Sequence, residues 1–134
     1  RALALVLGRA YDTLSHEDLQ TAHLRKNHQL ATSSSDAGWS AFVGILSFNA
    51  ADAGKAVVAV PPAFTSQACS GCGSGCGVLV YKGLSVRWHR CPDYGTSLHR
   101  DHNAARNIVR LGRARRRAGR ALQARTWAVG PSVA

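Results

Sequence analysis

The sequence predicts a mixed α/β chain carrying a small, metal-braced β unit. Three observations lead there. Val57, Val58, Ala59 and Val60 form a β-branched run halted by Pro61 and Pro62, which reads as a buried strand with a hard stop. Trp39, Phe42, Val43 and Leu46 recur at helical spacing and predict one buried helix face. All four cysteines fall between residues 69 and 91, where glycines punctuate the chain too densely for regular structure.

Taken in order, residues 1–11 are apolar and helix-compatible, and residues 12–16 read as a short strand. Glu17, Asp18 and Leu19 open a polar, helical segment to about Leu30. Residues 32–36 read as a loop whose Ser and Asp oxygens cap the next helix, which ends near Gly54. The strand at 57–60 follows. Residues 78–80 and 84–89 read as two short strands around a Lys82-Gly83 turn, and residues 91–95 as a turn-rich knuckle. A last helix runs from about Asp101 to about Leu111, with Ala104, Ala105, Ile108 and Val109 toward the core. From Gly112 the chain is basic, then small and apolar.

The chain has 17 Lys+Arg against 7 Asp+Glu, a formal net charge of +10. Such an excess draws an anionic partner by long-range attraction. Nucleic acid is the first candidate and an acidic membrane surface the second. No run of about 18 apolar residues exists, so no membrane span is expected. The amino terminus lacks an export pattern, and a cytoplasmic location is expected. In that setting clustered cysteines signify metal rather than disulfides. The chain begins at Arg1 and has no Met, so it is expected to be a piece of a longer reading frame.

Cys69 and Cys72, with two residues between them, present two thiolates from one tight turn, and zinc wants four ligands in a tetrahedron. Cys91 stands where a second pair begins, but the position three further on is Tyr94. The segment Ser70-Gly71-Cys72-Gly73 is nearly copied by Ser74-Gly75-Cys76-Gly77, which offers an extra thiolate. The expected zinc set is Cys69, Cys72, Cys91 and one of Cys76, His89 or His99. The competing reading is a decayed site with free thiols.

Other residues carry bland readings beside the functional ones. Glu17 and Asp101 are chemically suited to magnesium, yet each also reads as a helix-start acid favoured by the macrodipole. Trp88 reads as structural packing before base stacking. His102 and Asn103 read as capping or solvated positions. Arg110, Arg113, Arg115, Arg116, Arg117 and Arg120 form the densest basic run. It is either a solvated, disordered tail or a phosphate-contacting surface blind to sequence.

Three motifs recur in order: residues 65–73 (TSQACSGCG), 91–95 (CPDYG) and 99–108 (HRDHNAARNI). Together with residues 16–19 (HEDL), 35–39 (SDAGW) and 54–60 (GKAVVAV), they closely resemble the carboxy-terminal region of the OrfB/TnpB family. These are insertion-sequence proteins, often called transposases, related to compact CRISPR nucleases. The resemblance covers roughly residues 1–112.

The resemblance implies an RNA-guided DNA endonuclease with a partial RNase H-like (RuvC) core and an inserted zinc ribbon. It implies Glu17 as the second-segment and Asp101 as the third-segment catalytic metal ligand. It also implies Cys69, Cys72 and Cys91 at structural Zn2+, with Mg2+ as the catalytic metal of the complete protein. The expected partners are DNA and a guide RNA, with no membrane. The expected division is a RuvC-like segment at 1–62, a zinc ribbon at 63–98, a RuvC-like helix at 99–112 and a basic, flexible tail at 113–134. Tyr94 departs from the family's fourth zinc cysteine, and the first catalytic Asp is expected upstream of Arg1, so the chain alone is expected not to cut DNA. The competing functions are a non-catalytic zinc-ribbon module that binds nucleic acid and a decayed remnant that does neither.

Overall fold

The computed structural model describes residues 2–19, 34–72, 79–80, 82–83 and 85–128. Its elements are α1 (Ala2–Ala10), β1 (Thr13–Glu17), α2 (Ser34–Asp52), β2 (Ala56–Val60), β3 (Trp88–Arg90), β4 (Ser97–His99) and α3 (Arg100–Ala128). The expected helix over 20–30 lies outside the described residues.

β1 and β2 pair in parallel, Thr13 opposite Ala56 through Glu17 opposite Val60. Parallel neighbours need a crossover, and α2 lies between them in the chain. α2 stops in a Schellman turn. Gly54 takes φ +68°, Lys55 N–H donates to the Ala50 carbonyl at 2.7 Å and Gly54 N–H to that of Ala51 at 3.0 Å.

Strand alternation splits the two faces of this pair. His16 meets Trp39 of α2 edge-on, with ring centroids 6.2 Å apart. Ser15, Glu17 and the fully buried Val60 turn to the other face, where α3 packs on both strands. The result is a layered helix–sheet–helix arrangement, with α1 packed on α2. Leu46 is buried as its spacing predicts, and Phe42 and Val43 are half-buried. Trp39 is not buried: it is exposed at the open end of the sheet, stacked on Phe42.

α3 lies antiparallel to β1. Arg116 donates to the Thr13 hydroxyl, Gly112 packs against Ser15, and Asn107 binds Thr65, which in turn donates to Glu17. The approach at Gly112 is close enough that a Cβ there would lie 1.9 Å from Ser15 Oγ. Only glycine admits this approach, so the residue that reads in the sequence as the start of a tail is the crossing point of helix and sheet. The helix runs to Ala128 rather than ending near Leu111.

The buried face of α3 also differs from the expectation. Ala104 and Ile108 are half-buried as expected, but Ala105 and Val109 are exposed, while Asn103 and Asn107 are buried. Apolar periodicity cannot find a core face whose buried members are amides. In the small unit, β3 pairs antiparallel with β4, with Trp88 opposite His99. Residues 78, 81 and 84 of the expected hairpin lie outside the described residues; among those described, Leu79 bridges to Ala68, and β3 pairs with β4 across the second knuckle.

Candidate functional site

The two knuckles face each other. The first leaves the turn at Phe64, whose carbonyl accepts from Gln67 N–H at 3.0 Å and Ala68 N–H at 2.9 Å. In the second, Gly95 N–H donates to the Cys91 carbonyl at 3.0 Å and Cys91 N–H to the Thr96 carbonyl at 2.9 Å, with Gly95 at φ +65°. Gly71 of the first sits so close to Thr96 of the second that a Cβ would meet its Oγ1 at 2.8 Å.

This closure gathers three thiols. Cys72 Sγ lies 3.3 Å from Cys69 Sγ and 3.1 Å from Cys91 Sγ, and all three sulfurs fall within 4.8 Å of one another. Cys69 and Cys91 are buried and Cys72 half-buried. The Cys72 thiol, followed by backbone amides of Tyr94 and Asp93, holds Cys91 below the usual thiol range. Soft, convergent sulfur donors with supporting amides suit zinc. Among the described residues this is the one group of three side chains able to hold a metal together.

His89 and His99, two of the three alternatives for a fourth ligand, are not among the three clustered side chains. His89 is fully buried, with no partner for either ring nitrogen among the described residues. Burial, then the nearby Lys82 charge, pushes its pKa down. His99 pairs loosely with Asp101 and stacks edge-on to Trp88. Trp88 is exposed, where its sequence predicts interior packing. Tyr94 is exposed as well. Cys76 lies outside the described residues.

An amide latch ties the ribbon to α3. Asn103 Oδ1 accepts from Ser70 N–H at 2.9 Å, and its amide donates to the Ala68 carbonyl at 2.8 Å. Asn107 donates to the carbonyls of Thr65 and Ala68, each at 2.8 Å. Lys82, also buried, donates to the Ser66 carbonyl. The segment entering the first knuckle is thus held from two sides. The sequence suggests a cap or a solvated position for Asn103, and the structure makes it a buried clamp. Its spacing of four from Asn107 is the one signal in the sequence that two amides share a helix face.

Glu17 ends β1 and accepts from the buried Thr65 hydroxyl. With His16, Asp18 and Trp39 it lines a concavity of about 320 Å³ at the carboxyl ends of the parallel strands. Asp101 is exposed in the first turn of α3 and is not part of that lining. Because α3 runs antiparallel to β1, its first turn extends past the same end of the sheet. Asp101 precedes Asn107 by six residues, about 9 Å of helix rise. Both acids lie toward the carboxyl end of β1, but they are bonded to different partners. Neither belongs to a group of three or more candidate metal ligands among the described residues.

The arginines divide. Arg115 donates to the Ala59 carbonyl at 2.6 Å and Arg116 to the Thr13 hydroxyl, so both reach back to the sheet. Arg110, Arg113, Arg117 and Arg120 are exposed. No helix among the described residues is long and apolar enough to cross a membrane.

The same stretch of chain is matched by known proteins. The family model described as Cas12f1-like, TNB domain, matches residues 39–108. A protein of Streptomyces pristinaespiralis, named as a putative RNA-guided DNA endonuclease, is 38% identical over 111 residues. That match takes in 82% of this chain and 27% of the relative, so the chain spans about a quarter of the relative's length.

Proposed function

The chain belongs to the OrfB/TnpB-like family that includes the Cas12f1-like TNB domain, and from that premise we propose that it is the carboxy-terminal part of a transposon-encoded, RNA-guided DNA endonuclease. In this reading residues 1–62 and 99–112 belong to a RuvC-like core, and residues 63–98 are the zinc ribbon set into it. Cys69, Cys72 and Cys91 hold zinc, with Cys76 as the fourth thiolate. Zinc there supplies a structural cross-link between the two knuckles. Glu17 and Asp101 are carboxylates of the nuclease centre, completed by further groups of the whole protein. Magnesium bound there supplies charge stabilisation for phosphodiester hydrolysis.

What this chain's own residues do is positional. Thr65 orients the Glu17 carboxylate by donating to it. Asn107 fixes Thr65, and Asn103 fixes the knuckle beside it. The single observation that carries the reading is the antiparallel packing of α3 on β1, which sets the first turn of α3 at the same end of the sheet as Glu17.

The test exchanges the matching segment of the Streptomyces relative for this chain and measures guide-dependent cleavage of a target plasmid. Glu17→Gln or Asp101→Asn is expected to lower cleavage by on the order of 10² or more, the scale of losing several kcal/mol of metal-borne stabilisation. Cleavage unchanged in both variants overturns the catalytic assignment. It would favour the second reading, a zinc ribbon that binds nucleic acid without chemistry, for which the separate bonding of the two acids speaks.

A further inference from the structure

One face of α3 is left unused by the packing described above. Successive helix residues turn by about 100°, which brings Arg106, Arg110, Arg113, Arg117 and Arg120 within an arc of about 80° over roughly 21 Å of axis. Arg106, Arg110, Arg113 and Arg117 line an open groove of about 630 Å³ with His102 and Val109. From His102 to the end of the helix there is no Asp or Glu, and among the described residues no carboxylate pairs with these arginines. The buried side of the same helix carries Asn103, Asn107 and Gly112, and Arg115 and Arg116 are spent on Ala59 and Thr13. Among the described residues the stripe is therefore a separate surface, free of the fold's own bonding except for Arg110, which also donates to Asn107 at 3.3 Å.

We infer that this face seats a DNA duplex, gripping its phosphates without reading its bases. The inference rests on the nucleic-acid reading above and names the surface and the form of the partner. A duplex presents one charge about every 1.7 Å of axis, so a straight row of guanidiniums meets a dense, rigid array of partners. A single strand is disfavoured, because no Trp, Tyr or Phe lines the groove among the described residues and single-strand grip relies on stacking. An RNA duplex is disfavoured, because among the described residues the lining offers no Ser, Thr, Asn or Gln for 2′-hydroxyls. A membrane surface is disfavoured, because among the described residues Val109 is the one sizeable apolar side chain there and interfacial helices need a broad apolar face.

The experiment titrates the zinc-loaded 134-residue chain against fluorescein-labelled DNA duplex, RNA duplex and single-stranded DNA by anisotropy, between about 50 and 200 mM salt. The unaltered chain is expected to bind the DNA duplex most tightly. The triple variant R106S/R113S/R117S is expected to weaken that binding and to flatten the salt slope by about 0.9 for each phosphate that is no longer neutralised. R106K/R113K/R117K is expected to keep the slope, and R115S/R116S to keep it while lowering the unfolding midpoint. Far-UV dichroism of each variant reports retention of the helix. An unchanged slope in the serine triple overturns the surface assignment while leaving the nucleic-acid reading in place. Tighter binding of RNA or of the single strand overturns the choice of partner. Failure of the unaltered chain to bind any of the three overturns both this inference and the reading beneath it.

Discussion

Asn107 of α3 donates at 2.8 Å to the carbonyl of Thr65, and the Thr65 hydroxyl donates to Glu17. One helix amide therefore positions an acid that lies 90 residues earlier in the chain. Asn107 also holds the Ala68 carbonyl at 2.8 Å, so the same side chain reaches the root of the first knuckle. The acidic edge and the sulfur cluster are coupled through it.

Asn107→Ala is expected to destabilise the zinc-loaded chain by about 1–3 kcal/mol, because it leaves the Thr65 carbonyl without this donor in a buried place and the Ala68 carbonyl with Asn103 alone. Asn107→Asp is expected to be worse, since a carboxylate there faces two carbonyls. Urea unfolding followed by dichroism checks both. A loss no larger than that of an exposed alanine substitution such as Arg113→Ala would show that the latch has no energetic role.

Gly112→Ala is expected to cost about 1–3 kcal/mol, the range for overpacking a close approach, because the new Cβ lands on Ser15 Oγ and Cβ. Ser15→Gly removes both atoms. The double variant should recover most of the loss, and a double-mutant cycle reads the coupling directly. Additive losses would mean that helix and strand do not approach as closely as described.

Metal analysis of the purified chain is expected to find zinc, and Cys69→Ser, Cys72→Ser and Cys91→Ser each to reduce it. Chelation should lower the thermal midpoint, because metal bound only to the folded state adds to its stability. Cobalt substitution gives a second readout, with sulfur-to-metal absorption falling at each Cys→Ser step. Retention of full metal content in any of the three variants would remove that cysteine from the site.

His89 is expected to make the small unit sensitive to acid. Its folded pKa is pushed down, by burial first and Lys82 second, so the unfolded chain binds its proton more readily. Its contribution is complete above the unfolded value of about 6.5 and is lost as pH falls from there through the lower folded value. His89→Phe removes both unpartnered nitrogens and is expected to flatten stability over that window. Unfolding midpoints measured from neutral pH downward test this. An unchanged pH profile in the variant would exclude His89 as the cause.

The sequence alone determined the strand at 57–60, because β-branched residues before two prolines leave little alternative. It determined the helix ending at Gly54, because glycine relieves a left-handed cap. It also pointed to Cys69, Cys72 and Cys91 as one group, because two knuckles with short ligand spacing favour a shared centre. Only the tertiary structure decided the rest. Asn103 and Asn107 look like surface residues until the carbonyls they satisfy are brought beside them. Gly112 looks like a breaker until Ser15 lies against it. Arg115 and Arg116 look the same as Arg113 and Arg117 until the sheet takes one pair and leaves the other to solvent. Local patterns report what a segment favours by itself. The partner of a buried polar group, and the side of a helix that faces water, are set by residues far away in the chain.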